Sequence, residues 1–267
     1  MPELPEVQTV LDGLAEVLES KSITGLECYY PGTVIVDPDL DRDPFPARLS
    51  KAERRGKYMI LHLDSSASII IHLRMTGKLV YEPRPDEPLK HERARLLLAS
   101  DEALRFIDIR TFGKITVLDS SNLEKYLPAL GPEPLSGDFS PSYLRRVFKG
   151  RKAPVKNLLL DQGLVAGLGN IYVCELLFRS GIRPDRSGLS LCPKELRKLV
   201  KHTKEVLQEA LAVGGTSISD YRQIDDKTGE FQHFLRVYQK RECPLGHAVQ
   251  NLKLAGRSSF FCPECQH

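Results

Sequence analysis

The sequence predicts an α+β fold, in which one helix, a set of short antiparallel strands, a group of helices and a final hairpin follow one another. Three observations predict it. Apolar residues recur at helical spacing over residues 7–18, short apolar runs separated by turn residues fill 23–118, and helical spacing returns over 141–213. Because strands and helices are segregated along the chain, we expect an antiparallel sandwich or barrel beside a helical domain.

The first predicted helix begins within Met1-Pro2-Glu3-Leu4-Pro5-Glu6 and ends near Lys21. If the initiator methionine is removed, Pro2 becomes a terminal secondary amine, which titrates near pH 7.7–8.0 and can attack an electrophilic carbon to form an iminium. Glu3 and Glu6 are nearby carboxylates that could give or take a proton. The alternative is structural, since prolines and acids also commonly open a helix.

Seven short strands are predicted next, and turn residues separate them. They cover residues 23–30, 58–63, 68–73, 78–81, 93–99, 103–107 and 114–118. Gly131-Pro132-Glu133-Pro134 then ends the strand pattern. A domain boundary is expected there.

Four helices are predicted after this break, over residues 141–148, 154–161, 170–180 and 193–213. Ser140 and Asn170 are suitable N-cap residues. The glycine-rich stretch 162–170 would turn tightly and present backbone amides to a phosphate, although an ordinary helix connection explains it equally well. Residues 216–231 predict a mobile loop that closes over a ligand.

Charge and composition narrow the class of protein. The chain has 267 residues, 41% of them apolar, and a net charge of only +3. Six basic residues and no acid lie between Pro141 and Lys156. A solvated surface is the usual explanation of one such run, but a second basic group at 51–57 raises the chance of a phosphate-binding face. No apolar run approaches the roughly 18 residues that cross a bilayer, and the first residues have neither the basic n-region nor the apolar h-region of a signal peptide. We therefore expect a cytoplasmic protein with no membrane partner.

The last 25 residues contain a candidate metal site. Cys243 and His247 form one knuckle, and Cys262 and Cys265 form a second after fourteen intervening residues. Thiolate and imidazole ligands at this spacing are typical of one structural, tetrahedral zinc ion. His267 is a competing ligand. Two strands are predicted between the knuckles, turning at Ala255-Gly256, with Arg257 just after the turn.

The whole chain resembles the formamidopyrimidine-DNA glycosylase family, which includes endonuclease VIII. The matching motifs are Pro2-Glu-Leu-Pro-Glu6-Val, Arg55-Gly-Lys57-Tyr, Ile71-His-Leu-Arg-Met75-Thr-Gly77, Asp108-Ile-Arg110-Thr-Phe112-Gly113, Leu130-Gly-Pro-Glu-Pro-Leu135, Gly167-Leu-Gly-Asn170-Ile-Tyr and the terminal knuckles. Leu4, where the endonuclease VIII branch usually carries glycine, favours the branch that acts on purine lesions.

The resemblance implies a β-sandwich domain with an N-terminal helix over residues 1–133, a helix-two-turn-helix DNA-binding domain with a lesion-capping loop over 134–232, and a zinc-finger β-hairpin over 233–267. Double-stranded DNA containing oxidised bases would bind in the cleft between the two halves. The chain would act as a monomer that associates with the nucleoid through DNA.

The resemblance also implies an activity, the removal of 8-oxoguanine and formamidopyrimidines followed by β- and δ-elimination at the abasic site. Pro2 would attack the deoxyribose C1′, Glu3 would shuttle protons, and Glu6 would position the sugar or the N-terminus. Lys57 is the family lysine assigned to β-elimination. Arg257 is the arginine assigned to δ-elimination.

The remaining residues implied by the resemblance contact DNA. His91, Arg110 and Arg151 fall at or near DNA-contact positions, and for Arg151 the neighbouring Lys152 is an alternative. Asn170 lies at the turn that clasps the DNA backbone. Met75, Arg110 and Phe112 would fill the space that an extruded nucleotide leaves.

Two alternatives stay open at this point. One is an enzyme for oxidised pyrimidines. The other is a zinc-finger protein that binds damaged DNA without chemistry, which retention of Met1 would favour because Pro2 would then be an unreactive amide.

Overall fold

The computed structural model describes residues 1–217 and 229–267. Contacts divide the chain into two compact units, Met1–Pro128 with Gly214–Glu230, and Ala129–Val213 with Phe231–His267. The three domain ranges given above stay a prediction. The predicted α+β class is confirmed, since a helix and a sheet form the first unit while helices and a hairpin form the second.

The first unit contains two helices and nine strands in the part of the chain that is described. Their bounds are α1 Leu4–Leu18, β1 Ser22–Cys28, β2 Val34–Val36, β3 Ala47–Arg55, β4 Tyr58–Leu63, β5 Ala67–His72, β6 Lys78–Glu82, β7 Glu92–Leu98, β8 Glu102–Ile107, β9 Lys114–Asp119 and α2 Leu123–Tyr126.

The strands form one sheet in the order β2-β9-β5-β4-β3-β1-β7-β8-β6. All neighbours are antiparallel except β2 and β9. Strands β1 and β3 share only two residue pairs, Ser22 with Arg48 and Ile23 with Ala47. The sheet is therefore two halves with a narrow junction, which is the predicted antiparallel sandwich.

A single apolar core joins α1 to both halves of the sheet. Helix α1 contributes Val7, Val10, Leu11, Leu14 and Leu18, all at most 2% exposed. Each such leucine is worth about 2–5 kcal/mol against truncation to alanine. This packing anchors the N-terminal helix on the sheet, which fixes the residues that open it.

Strands β2 and β3 and the short helix α2 were not predicted. Strand β3 has the sequence Ala-Arg-Leu-Ser-Lys-Ala-Glu-Arg-Arg, and its apolar positions are only partly buried after Ala47. Its charged residues have local partners: Lys51 and His62 both pair with Glu53, and Arg54 donates to Gln8 of α1 at 2.9 Å. These contacts let a highly charged segment lie inside a sheet.

The second unit contains α3 Pro141–Phe148, α4 Val155–Leu160, α5 Asn170–Ser180, α6 Pro193–Ala212, β10 Gln250–Leu254 and β11 Arg257–Phe261. These elements agree with the predicted helices and hairpin within one residue at each helix end. Ser140 caps α3 as predicted, accepting the Tyr143 N–H at 3.2 Å. The predicted N-cap role of Asn170 is wrong. Gly169 is the N-cap of α5, and Asn170 is the first helical residue.

Within residues 1–217 and 229–267, every helix is too short or too polar to span a lipid bilayer.

Candidate active site and metal centre

The N-terminus is held by two neighbouring carboxylates. Pro2 is buried, and Glu3 and Glu6 are 4% and 2% exposed. Glu3 lies at the N-cap of α1, and its backbone N–H donates to Glu6 Oε2 at 2.8 Å. This bond uses one of the amides that a helix N-terminus leaves without an intrahelical partner, and the helix dipole favours the negative charge there. Pro2 is thus placed directly before a rigid, acidic turn.

The other oxygen of Glu6 reaches a distant part of the chain. Glu6 Oε1 accepts the Thr216 backbone N–H at 2.7 Å. Gly215, which precedes Thr216, has φ +79°, and a Cβ at this position would lie 2.6 Å from Glu6 Oε1. Close approach and a left-handed backbone both require glycine here. Further on, Ser217 Oγ accepts the Gly229 N–H at 2.9 Å. The predicted capping loop falls largely on residues 218–228, which lie outside the described residues.

Gly215→Ala is therefore expected to lower the free energy of unfolding by about 1–3 kcal/mol, because the methyl group clashes with Glu6 and φ is unfavourable. Gly137→Ala is the matched control, since a Cβ there meets nothing within 4 Å. Urea unfolding of the two variants measures the effect. Equal stability of both would contradict the contact.

Lys57 lies in the turn between β3 and β4 and is only 6% exposed. Arg54 supports this turn by donating both to Gln8 of α1 and to the Gly56 carbonyl, each at 2.9 Å. His72, at the end of β5, is also buried, with its ring packed edge-on against Tyr58 at 4.4 Å between centroids. His72 Nδ1 accepts the Arg74 N–H at 2.9 Å, so the proton of the neutral ring is on Nε2.

Burial, with smaller contributions from the charges of Arg74 and Lys57, lowers the pKa of His72 from 6.5 to about 3. The folded protein therefore binds fewer protons at this site than the unfolded chain between pH 3 and pH 6.5, so stability is lost as the pH falls below 6.5. From pH 7.5 to pH 5 the loss is about 2 kcal/mol.

His72→Asn, which keeps an acceptor for Arg74, is expected to remove this part of the pH dependence. Urea unfolding of wild type and variant at pH 7.5 and pH 5 gives the comparison, because all other titrating groups are shared. A stability difference between the two proteins that is the same at both pH values would be inconsistent with a neutral, buried His72.

The three predicted void-filling residues lie together. Met75 and Phe112 are 41% and 48% exposed, which is unusual for large apolar side chains. The guanidinium carbon of Arg110 lies 5.0 Å from the centroid of the Phe112 ring, within cation–π range. The segments that carry them meet because the Arg110 N–H donates to Thr76 Oγ1 at 3.2 Å.

His91 lies beside the same turn. Its carbonyl accepts the Asp108 N–H at 2.9 Å, and its Nδ1 lies 3.1 Å from a terminal nitrogen of Arg93. The structure therefore groups Met75, His91, Arg110 and Phe112 in the first unit, to which Pro2, Glu3, Glu6 and Lys57 also belong.

The second unit holds the other predicted DNA contacts. The hairpin turns at Ala255 and Gly256, with φ +45° and +78°, as predicted, and Arg257 is the exposed first residue of β11. Asn170 Nδ2 donates to the Ser258 carbonyl at 3.1 Å, which ties the start of α5 to the residue after Arg257. Asn170 and Arg257 are thus brought together. Arg151 is exposed in the turn after α3, and so is the alternative residue Lys152.

The four predicted ligands form one cluster. One donor atom from each of Cys243, His247, Cys262 and Cys265 lies within 4.8 Å of all the others. His247 presents Nδ1 at 3.4 Å from Cys265 Sγ, and Cys243 Sγ lies 3.9 Å from the same sulfur. Three thiols and one imidazole in this arrangement could hold a metal ion. His267 is exposed and outside this cluster.

Gln266 supports the second knuckle and was not predicted. Its Oε1 accepts the Cys262 N–H at 2.8 Å, and its Nε2 donates to the Ile182 carbonyl at 2.7 Å, so the fully buried amide links the knuckle to the end of α5. Outer residues of this kind orient metal ligands. His72 and Asp108 were also missed as individual residues, although both lie inside motifs quoted above. His72 could have been noticed in the sequence because it is a polar residue that directly follows the apolar run of β5.

Comparison with known proteins agrees with this geometry. Two family models match the chain: the formamidopyrimidine-DNA glycosylase N-terminal domain over residues 1–115 and the formamidopyrimidine-DNA glycosylase H2TH domain over residues 130–222. Curated relatives named formamidopyrimidine-DNA glycosylase are similar over their full length. They include proteins of Desulfitobacterium hafniense, 40% identical over 278 residues, and Ruegeria pomeroyi, 39% identical over 290 residues, with 100% of each chain covered.

Solved structures of the Lactococcus lactis enzyme are similar as well. Its complex with a DNA containing an abasic site has a TM-score of 0.90 at 34% identity and covers 99% of both chains. Its complex with a DNA containing Fapy-dG also has a TM-score of 0.90 at 34% identity, covering 99% of this chain and 100% of that one. The two domain matches, the full-length relatives and the shared fold show that this chain belongs to the formamidopyrimidine-DNA glycosylase family.

Proposed function

We propose that this protein is a bifunctional DNA glycosylase and abasic-site lyase that removes 8-oxoguanine and formamidopyrimidines from double-stranded DNA. The observation that carries the proposal is the position of Pro2, directly before a buried turn in which Glu6 holds the Glu3 N–H. An N-terminal amine is useful as a nucleophile only where it is fixed and where a carboxylate can move protons.

The reaction begins after removal of Met1. The lone pair of the Pro2 nitrogen forms a bond to C1′, and the glycosidic bond breaks with its electrons leaving on the base, which takes up a proton. The attached Pro2 nitrogen then loses its proton to Glu3, which restores its lone pair. Glu3 passes this proton to the ring oxygen as the bond from C1′ to that oxygen breaks, and the restored lone pair of the nitrogen forms the iminium. Glu6 holds the turn that carries Pro2, since its two oxygens bind the Glu3 and Thr216 amides.

Strand cleavage then follows from the acidity of the iminium. Loss of the C2′ proton sends electrons toward C3′ and expels the 3′ phosphate, and a second elimination expels the 5′ phosphate. Lys57 acts in β-elimination beside the lesion phosphate. Arg257, exposed at the hairpin turn, acts in δ-elimination and grips phosphate. His91, Arg110, Arg151 and Asn170 bind the DNA backbone.

Base extrusion costs a few kcal/mol and leaves a hole in the stack. Met75 and Phe112 fill this hole, and Arg110 pairs with the orphaned base. Their partial exposure supports this role, because side chains that serve only the core would be covered.

The metal cluster is proposed to bind one zinc ion with a structural role. Two sulfurs bound at about 2.3 Å in a tetrahedron lie about 3.8 Å apart, and a sulfur and an imidazole nitrogen lie about 3.5 Å apart. The observed separations are 3.9 Å between Cys243 and Cys265 and 3.4 Å between His247 and Cys265, so the donor set fits. The protein would act as a monomer in the cytoplasm, associated with the nucleoid.

Borohydride trapping tests the proposal. Wild-type protein is mixed with duplexes that contain one 8-oxoguanine, one thymine glycol or no lesion, and intact mass reports whether Met1 is absent. A covalent adduct with the 8-oxoguanine duplex is expected. A stronger reaction with thymine glycol would point to oxidised pyrimidines as substrates. Binding of damaged DNA without an adduct on any duplex would refute an enzymatic role.

A further inference from the structure

Asp108 lies at the junction of the segments that carry the void-filling residues. Its side chain is fully buried at 0% exposure. Oδ1 accepts the Thr76 hydroxyl and, at 3.1 Å, the Arg110 N–H. Oδ2 accepts the Gly113 N–H at 2.7 Å. One carboxylate therefore binds the residue after Met75 and both ends of the turn that contains Arg110 and Phe112.

The backbone of Asp108 adds a third segment. Its N–H donates to the His91 carbonyl at 2.9 Å, and its carbonyl accepts Nε of Arg93 at 2.7 Å. Residue 108, which directly follows β8, thus joins the start of β7 and the segment after β5, which lie 15 to 32 residues before it in the sequence.

Stability alone does not explain this carboxylate. Within residues 1–217 and 229–267, the side chain of Asp108 forms no ion pair, and its partners are two amides and one hydroxyl. A buried carboxylate without a cation is expensive, and an apolar residue of similar volume usually serves folding better. The hydrogen bonds do, however, fix three loop positions that no apolar residue could fix.

The turns themselves need such support. Arg74 and Thr111 have φ +55° and +60°, a left-handed conformation that is unfavourable for residues other than glycine, above all for a β-branched threonine. Such conformations persist where surrounding contacts determine them, and they cluster at functional sites. At Gly113 a Cβ would lie 2.4 Å from Cζ of Phe106, so this end of the turn is also sterically confined.

We propose that Asp108 is a positioning residue that holds Met75, Arg110 and Phe112 in the arrangement required to enter the DNA stack. This inference rests on the proposed function. We call these three residues the wedge. If they are ordered before DNA binds, they lose less conformational freedom on insertion, and their side chains are already in place when the damaged nucleotide leaves the stack.

Asp108→Asn tests the role with almost no change in shape. The substituted amide nitrogen cannot accept, so it faces a donor that the carboxylate had satisfied. Single-turnover excision of 8-oxoguanine is measured for the wild type, for Asp108→Asn, for the wedge-deleted variant Met75→Ala/Arg110→Ala/Phe112→Ala, and for Asp108→Asn in that wedge-deleted background. Asp108→Asn is expected to slow wild-type excision by roughly 10- to 100-fold, the range produced by a small misplacement near a reaction. In the wedge-deleted background it should add less than about 2-fold, since interacting residues are not additive.

Asp37→Asn is the matched control. Asp37 is a second buried carboxylate of the same unit, 3% exposed, and it accepts hydrogen bonds from Asn122 at 2.8 Å, Tyr126 at 2.9 Å and the Asp39 N–H at 3.1 Å. Its removal is expected to leave excision unchanged.

A second pair of variants keeps the test informative if Asp108→Asn does not fold. Thr76→Val removes the hydroxyl that binds Asp108, whereas Thr76→Ser keeps it. The first is expected to slow excision and the second to retain it. Equal slowing by Asp108→Asn in both wedge backgrounds, or equal activity of the two Thr76 variants, would overturn the positioning role. A wild type that excises no base would instead refute the proposed function itself.

Discussion

A form of the protein that retains Met1 is expected to give no borohydride-trapped adduct, with excision of 8-oxoguanine reduced at least about 10³-fold, equivalent to about 4 kcal/mol of activation free energy. In that form the Pro2 nitrogen is part of a tertiary amide, and its lone pair is delocalised into the carbonyl. The acidic residues that follow Pro2 offer no amine, since Glu3 and Glu6 carry carboxylates and both oxygens of Glu6 already accept backbone N–H groups.

The retained form can be made by adding a short extension before Met1 that cells do not remove, and intact mass verifies it. Binding to the same duplex should persist, since phosphate contacts dominate affinity and the basic residues are unchanged. An extended protein that still forms the adduct would show that another amine is the nucleophile, and the role assigned to Pro2 would be wrong.

Pro2→Gly tests whether the nucleophile must be a secondary amine. Glycine supplies a primary amine, whose imine can lose its proton and its charge, whereas the iminium of proline has no N–H to lose. Trapping and strand cleavage are both expected to fall sharply. Pro5→Ala is the matched control, since Pro5 lies in the first turn of the same helix but has no reactive amine. Loss of adduct in both variants would indicate damage to the helix instead of loss of the nucleophile.

The parts of the fold that the sequence predicted well are those determined by local patterns. The apolar spacing of α1, the capping of α3 by Ser140 and the turn at Ala255-Gly256 each depend on residues close together in the chain. Strand β3 was missed for the opposite reason. Besides the pair of Lys51 and Glu53 within the strand, Glu53 is hydrogen-bonded to His62 and Arg54 to Gln8, and these last two partners come from other elements. A three-residue strand such as β2, held by a parallel neighbour 81 residues away at Val34–Ile115, leaves no periodicity to detect.

The candidate site divides in the same way. Pro2, Glu3 and the four predicted metal ligands could be identified from the sequence, because their residue types stand next to one another or at a spacing that is typical of the site. The supporting residues are not. Asp108 binds Thr76 from 32 positions away, and Glu6 binds Thr216 from 210 positions away. Asn170 was predicted as a cap because its type suits that position, yet the neighbouring glycine adopts the extended backbone of the cap and frees the Asn170 amide to hold Ser258.

Removal of the proposed zinc ion is expected to have the second large effect, because the apolar core of the terminal hairpin is small. Strands β10 and β11 form only a two-stranded sheet, and such a hairpin is marginally stable in water. Its small core consists of Cys174, Val237, Cys243 and Cys262 with a few partly buried neighbours, so two of the four buried core residues are themselves proposed ligands. Binding of a structural zinc contributes about 10–16 kcal/mol in isolated zinc-finger peptides at neutral pH, which far exceeds what this core supplies.

Cys262→Ser is therefore expected to lose the proposed zinc ion and to expose the amides of β10 and β11 to rapid hydrogen exchange. It should also slow strand cleavage by roughly 10²-fold or more, as Arg257 loses its fixed position. Cys192→Ser removes an exposed thiol of the same unit outside the cluster, and zinc content, exchange and cleavage should all stay unchanged.

His247→Cys, which keeps a soft ligand at the fourth position, should retain the metal, whereas His247→Ala should weaken its binding. Arg257 lies at the tip of the hairpin and the proposed ligands lie at its base. If zinc were lost and cleavage stayed intact, the hydrogen bonds from Lys156 and Asn170 to the Ser258 carbonyl would be enough to place Arg257. The metal would then serve stability alone.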